Sequence, residues 1–186
     1  MQIKRIGFGQ VEPNHLSARR TGQIYAQLPA KSDIKILENG QFAKYDYANN
    51  VVSFDGKGEF MLVFNEVKLY DDNRESYKDF ALQAKNFAPG SDTIAHGGVG
   101  PFPGQMTPRL FKTNIGDIFT TNCIKEGNVS GTAEVNGEEL VVGDTVTPNA
   151  GGYLEKTVLT EGMLWQVVKT YTMPDGQPAV KLQRIQ

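Results

Sequence analysis

The chain has 186 residues, 39% of them hydrophobic and 22% charged, which is enough to bury a core and too apolar for a disordered polymer. Nineteen Lys and Arg against 21 Asp and Glu leave a net charge of −2, so no broad positive field exists to hold a nucleic acid. The single cysteine, Cys123, excludes an internal disulfide, and no apolar run approaches the ~20 residues of a membrane-spanning helix.

Residues 1–30 lack helical periodicity and read as an extended arm. Met1-Gln-Ile-Lys-Arg-Ile6 has the make-up of a short strand, and Gly7-Phe-Gly-Gln-Val-Glu-Pro-Asn14 is extended but broken by glycine and proline. Ile24, Ala26 and Leu28 then alternate with polar neighbours, as in a half-exposed strand. Such an arm lies either on a neighbouring subunit or along an irregular edge of its own domain, and the sequence leaves both open.

Residues 31–87 read as an N-terminal β-rich module with one helix. Ile34-Lys-Ile-Leu37, the turn pair Asn39-Gly40 and Gln41-Phe-Ala-Lys-Tyr45 predict a hairpin. After Val51-Val-Ser-Phe54 comes Glu59-Phe-Met-Leu-Val-Phe-Asn-Glu-Val67, too continuously apolar for a solvated strand and expected to be a central one buried on both faces or between sheets. A helix over about 73–85 is predicted from a cap at Asp72 or Asn73, an early Glu75, and an apolar face of Tyr77, Phe80, Ala81 and Ala84.

Residues 88–108 hold five glycines and four prolines in 21 positions, a mixture no packed element tolerates, and read as a connector or exposed loop. From 109 to 186 short strands return at intervals that describe a small barrel or sandwich. Expected strands are Arg109–Thr113, Gly116–Ile124, Gly131–Val135, Glu138–Val142, Asp144–Thr147 and Tyr153–Val158. A closing hairpin turns at Pro174-Asp-Gly-Gln177, with Val180 and Leu182 facing opposite to Lys181 and Gln183. Ile115-Gly-Asp-Ile-Phe-Thr-Thr-Asn122 is echoed by Val142-Gly-Asp-Thr-Val-Thr-Pro-Asn149, as if one strand-initiating turn were used twice. The expected fold class is mainly β: small barrel or sandwich modules, one short α-helix and an extended N-terminal arm.

The residues with reactive chemistry are sparse and scattered. His15 and His96 stand 81 positions apart, with no zinc-ligand spacing and no nucleophile elbow near either. Gly97-Gly-Val-Gly100 lacks the lysine and helix of a phosphate cradle, and Asp55-Gly-Lys-Gly-Glu59 is too short for a calcium loop. Within Asp71-Asp72 and Glu138-Glu139 the carboxylates would point to opposite faces of a strand, although carboxylates from separate strands stay open as a pair. No catalytic residue, metal site or cofactor is assigned. Cys123 and Trp165 read as core side chains. The candidate contact residues are Arg19, Arg20 and Tyr25 in the arm, with Phe102 and Met106 in the connector, where a ring between two prolines suits a neighbour's pocket.

Val142-Gly-Asp-Thr-Val-Thr-Pro-Asn-Ala-Gly-Gly152, the closing run from Trp165 to Gln183 and the Gly/Pro-rich centre together resemble structural proteins of tailed bacteriophages, most of all head-decoration (capsid cement) proteins. The resemblance covers roughly the last 80 residues and implies a β-rich, non-enzymatic protein that binds the outside of an icosahedral shell and reinforces it. It implies the major capsid protein as partner, a homotrimer or other homo-oligomer, neither nucleic acid nor membrane as ligand, and a place on the virion surface after synthesis in the host cytoplasm. Residues 1–87 exceed what a minimal decoration domain needs, which leaves room for a second module. A tail, neck or baseplate component, and a β-fold carbohydrate-binding module or hydrolase, are the alternatives.

Overall fold

The computed structural model of the chain describes residues 8–17, 28–65, 81–83, 106–130 and 139–186, without the side chains of 83 and 126–130. Its strands are, in chain order, β1 (Val11–His15), β2 (Ile36–Glu38), β3 (Phe42–Asp46), β4 (Val51–Ser53), β5 (Met61–Val63) and β6 (Ala81–Gln83). There follow β7 (Leu110–Phe111), β8 (Ile118–Thr121), β9 (Ile124–Ser130), β10 (Thr145–Pro148), β11 (Leu154–Thr157), β12 (Trp165–Thr172) and β13 (Pro178–Arg184). The protein is mainly β.

Seven strands make the principal sheet, in the order β1-β8-β13-β12-β10-β11-β9. Strands β8 and β9 are five places apart in that order, yet only Asn122 and Cys123 join them. Across a flat sheet they would be ~24 Å apart, whereas three peptide units reach at most ~11 Å. The sheet therefore curls back on itself as an open roll. Cys123, fully buried, sits at the seam, against which the backbones of Gly9 and Gly40 pack closely. Beside β8, the terminal strand β1 is a blunted edge: Pro13 has no N–H to offer, and the ladder slips between Glu12 and His15.

A four-stranded sheet, β4-β3-β5-β7, packs against this roll and divides the interior in two. Leu62 and Phe42 join Phe119, Val146, Leu154, Trp165 and Leu182 in one core, while Met61, Val63, Ala43 and Tyr45 join Leu37, Val52, Met106 and Leu110 in the other. Strand β5 is thus buried on both faces, as its continuous apolar run predicts. The boundary expected at 88–108 does not separate two cores. Strand β7 from beyond it pairs with β5 from before it, and the rings of Phe42 and Trp165 lie 5.8 Å apart. Of the expected arm, Val11–His15 is a strand of the principal sheet and Ala30 bridges Val52 of the small sheet, while 1–7 and 18–27 lie outside the described residues.

Three local expectations are corrected. The turn at Asn39-Gly40 forms, with Gly40 at φ +96° and Gln41 N–H donating to Glu38 O, but its flanking strands do not pair with each other. Strand β2 pairs with β6, and β3 with β4 and β5, so the turn is a corner between sheets. The helix expected over 73–85 fails at 81–83, which is strand β6, antiparallel to β2; the rest of that range lies outside the described residues. Ladder bonds to β2 and burial of Ala81 outweigh a helical preference that only three turns would have supported. In the C-terminal half, 139–142 likewise form no strand, and 131–138 lie outside the described residues.

The Gly-Asp echo corresponds to a repeated structure. Gly116 and Gly143 both have positive φ, +92° and +99°. Asp117 N–H donates to Asn114 O and Asp144 N–H to Val141 O, while each carboxylate accepts from the same backbone N–H, that of Asn114 or Val141, at 2.9 Å. The first turn docks on Arg184 and the second on Val167 through the same pair of backbone bonds. The match extends over three strands on each side. Phe119↔Leu182 and Ile118↔Gln183 correspond to Val146↔Trp165 and Thr145↔Gln166, and Val11↔Thr121 corresponds to Leu154↔Pro148. A local twofold therefore passes between the cross-strand pair Gln166 and Gln183.

Candidate interaction surface

The buried polar groups hold distant chain segments together. Glu38 accepts from Gly9 N–H (2.6 Å) and from the Tyr153 hydroxyl (2.7 Å). Asn122 accepts from Gln10 N–H, and Asp117 from both the backbone and the hydroxyl of Ser17. The Asn39 side chain accepts from Asn65 N–H and donates to Asn65 O, and Asn65 Oδ1 accepts from the N–H of Arg109. These contacts stitch β1 and the small sheet to the roll. They occupy with structural work the buried carboxylates Glu38 and Asp117.

An open cleft of about 1180 Å3 lies on the outer side of the small sheet, lined by residues of 29–35, 45–51 and 55–58 and by Met106. One wall is the β3–β4 turn. Asp46 accepts from the backbone of Ala48 and Asn49 and from Asn49 Nδ2 (2.7 Å), and Asn50 takes the left-handed φ of +54° that asparagine tolerates. The Asn49 side-chain bond holds the Asp46 carboxyl below the usual aspartate value. This turn presents Tyr47, 60% exposed, against the ring of Tyr45 at 5.5 Å. On the other wall Lys31 Nζ stands 3.1 Å from Asp55 and 3.4 Å from Asp33. The Asp55 hydrogen bond raises the Lys31 value, and the same bond lowers that of Asp55.

The contact residues expected from sequence divide sharply. Met106 is buried at 4% exposure, packed in the second core, and its carbonyl accepts from Ala30 N–H at 2.7 Å. Its side chain belongs to the second core with Ile34, Tyr45 and Leu110, where an unbranched thioether packs readily, and it also lines the floor of the cleft. Arg19, Arg20, Tyr25 and Phe102 lie outside the described residues, as does His96. His15 is exposed at the end of β1. Trp165 and Cys123 are fully buried, as expected. Sequence reading missed Tyr47 and Lys31, although Asp46-Tyr-Ala-Asn-Asn50 between two strands carries the composition of a side-chain-capped turn.

Among the described residues no three His, Cys, Asp or Glu side chains are grouped to hold a metal ion, and no helix is long and apolar enough to cross a membrane. In comparisons with known proteins, no family model, no curated protein and no solved structure matches the chain.

Proposed function

We propose that this protein is a non-enzymatic virion component that binds the outside of a tailed-phage capsid, contacts the major capsid protein and stabilises the shell as a homotrimer or other homo-oligomer. The observation that carries the reading is the use of the buried polar groups. Glu38, Asn39, Asn65, Asp117 and Asn122 tie segments 26 to 115 positions apart into one stitched β body. A shell-reinforcing protein needs such stiffness, because ordering a loose partner on a lattice would cost binding free energy. Ala30 N–H donates to the Met106 carbonyl, so the chain at 30 and at 106 lies side by side on this body. Weak contacts repeated over a lattice gain strength by effective concentration.

The test is co-sedimentation of the full chain with emptied heads and with unassembled capsid subunits, beside a solution mass measurement. An oligomer that saturates on heads is expected, as is weaker binding when residues 92–105 are deleted. A monomer that ignores heads would overturn the reading. The exposed Tyr47 ring beside Asp46 and Asn49 favours a second one, a β-fold carbohydrate-binding module. Retention on glycans without retention on heads would put that reading first.

A further inference from the structure

We propose that the side chains of Lys125 and Asn149 become joined by an amide bond, formed once within the folded chain, with Glu155 carrying the protons. The inference goes beyond the capsid-decoration reading and does not depend on it. Among the described residues three carboxylates are buried: Glu38, Asp117 and Glu155. The first two tie distant segments to the roll. Glu155, 8% exposed, instead meets two side-chain nitrogens at a single oxygen. Its Oε2 accepts from Asn149 Nδ2 at 3.0 Å and from Lys125 Nζ at 3.5 Å. Strand order brings the three groups together: Asn149 follows β10, Glu155 lies in β11, and Lys125 lies in β9, which runs parallel to β11 with Ile124 opposite Leu154.

The other end of the Asn149 amide is held as well. Its Oδ1 accepts from Gly151 N–H at 2.9 Å and from Tyr153 N–H at 3.1 Å. Donors at the oxygen and an acceptor at the nitrogen leave this amide one orientation. The two N–H groups draw electron density from Cγ and stand where negative charge develops when a nucleophile adds to it. Glu155 touches both the attacking and the departing nitrogen, as a general acid–base group must. It takes a proton from the Lys125 ammonium, and the freed amine adds to Cγ of Asn149. A Cγ–Nζ bond forms and the Cγ–Nδ2 bond breaks. The two protons that Nζ gives up pass through Glu155 to Nδ2, which departs as an ammonium ion and leaves Glu155 ionised as at the start. Nothing is oxidised or reduced, and no co-reactant is needed. The Lys125 side chain, 41% exposed, leaves that ion a way out to solvent. The repeated turn shows that the fold does not require this set of groups. Asn122, the counterpart of Asn149 in the echoed sequence, turns its Nδ2 to the neutral Gln177 amide and its Oδ1 to Gln10 N–H.

The experiment is the intact mass and tryptic peptide map of the purified full chain, beside Lys125→Arg and Glu155→Gln, with circular dichroism to verify the fold of each. The wild type should weigh less than its sequence requires by one ammonia molecule. Its digest should hold a branched peptide carrying both Lys125 and Asn149. Both variants should return to the full sequence mass and lose the branch, since arginine keeps the charge beside Glu155 and glutamine keeps the shape but cannot shuttle the proton. A wild-type chain at its full sequence mass, with no branched peptide after prolonged incubation at neutral pH, overturns the inference. Loss of ammonia that persists in Lys125→Arg also overturns it, by assigning the loss to ring closure of Asn149 onto its own backbone. A branch that persists in Glu155→Gln overturns the role given to Glu155. Should a variant fail to fold, the branched peptide of the wild type decides the question by itself. None of these readings involves heads, so the capsid-decoration reading stands or falls separately.

Discussion

Gly152 holds φ at +78° while its carbonyl accepts from Phe42 N–H at 2.7 Å, at the place where the roll meets the small sheet. A Cβ there would collide with the Phe42 carbonyl oxygen and stand 2.7 Å from the Phe54 ring, whereas at Gly176, φ +84°, a Cβ would meet nothing within 4 Å. Gly176→Ala should therefore cost only the left-handed backbone penalty of about 1–2 kcal/mol. Gly152→Ala adds a backbone collision and should cost more than about 4 kcal/mol, a magnitude reserved for such severe lesions. Urea melts of the two variants check this, and equal losses would refute the close packing at 152. At this scale the sequence was readable for side chains whose chemistry has one outlet. Trp165 and Cys123 had nowhere to go but the core. Met106 did not have that simplicity, because a methionine after a Gly/Pro-rich stretch serves a contact or a core equally well.

The β3–β4 turn and the Lys31 cluster make the two walls of the cleft respond differently to acid and salt. Asp46 is depressed chiefly by neutral amide donors of Asn49, Asp55 chiefly by the charged Lys31. Both carboxyls have folded values below the unfolded ones, so what each contributes is present above the ordinary aspartate value of 3.8 and is lost as pH falls through the depressed one. Carboxyl titration by NMR should find both below that value, and 1 M salt should relax Asp55 toward it while leaving Asp46 nearly unmoved. An equal salt response would mean that Asp46 is held by charge and not by its turn. Turns of this kind were legible because their chemistry is local. The Gly-Asp echo and the Pro174–Gln177 hairpin are the clearest cases, with Met173 N–H bonding Gln177 O and β12 lying against β13. Asn39-Gly40 shows the boundary of that legibility: the turn is local, but the strand that pairs with β2 comes from residues 81–83.

Taken whole, the molecule is held by a core to which both sides of the Gly/Pro-rich stretch contribute. Phe42 from β3 touches the rings of Phe119 and Trp165, at 6.2 and 5.8 Å. Removing it opens a cavity shared by both sheets. Phe42→Ala should cost about 3–5 kcal/mol, and the denaturation curves followed by Trp165 fluorescence and by far-ultraviolet circular dichroism should move together, as in a single cooperative unit. Curves that part, with Trp165 fluorescence unmoved, would mean that each half keeps a core of its own.

Turn sites, the repeated Gly-Asp turn and the strand character of most segments, with 81–83 and 139–142 the exceptions, were legible in the sequence alone, because each depends on residues within a few positions of one another. Which strands are neighbours was decided only in three dimensions. Pairing β2 with β6, curling the sheet until Cys123 closes its seam, and burying Met106 beneath the cleft all depend on segments tens of residues apart competing for the same hydrogen bonds and the same interior volume.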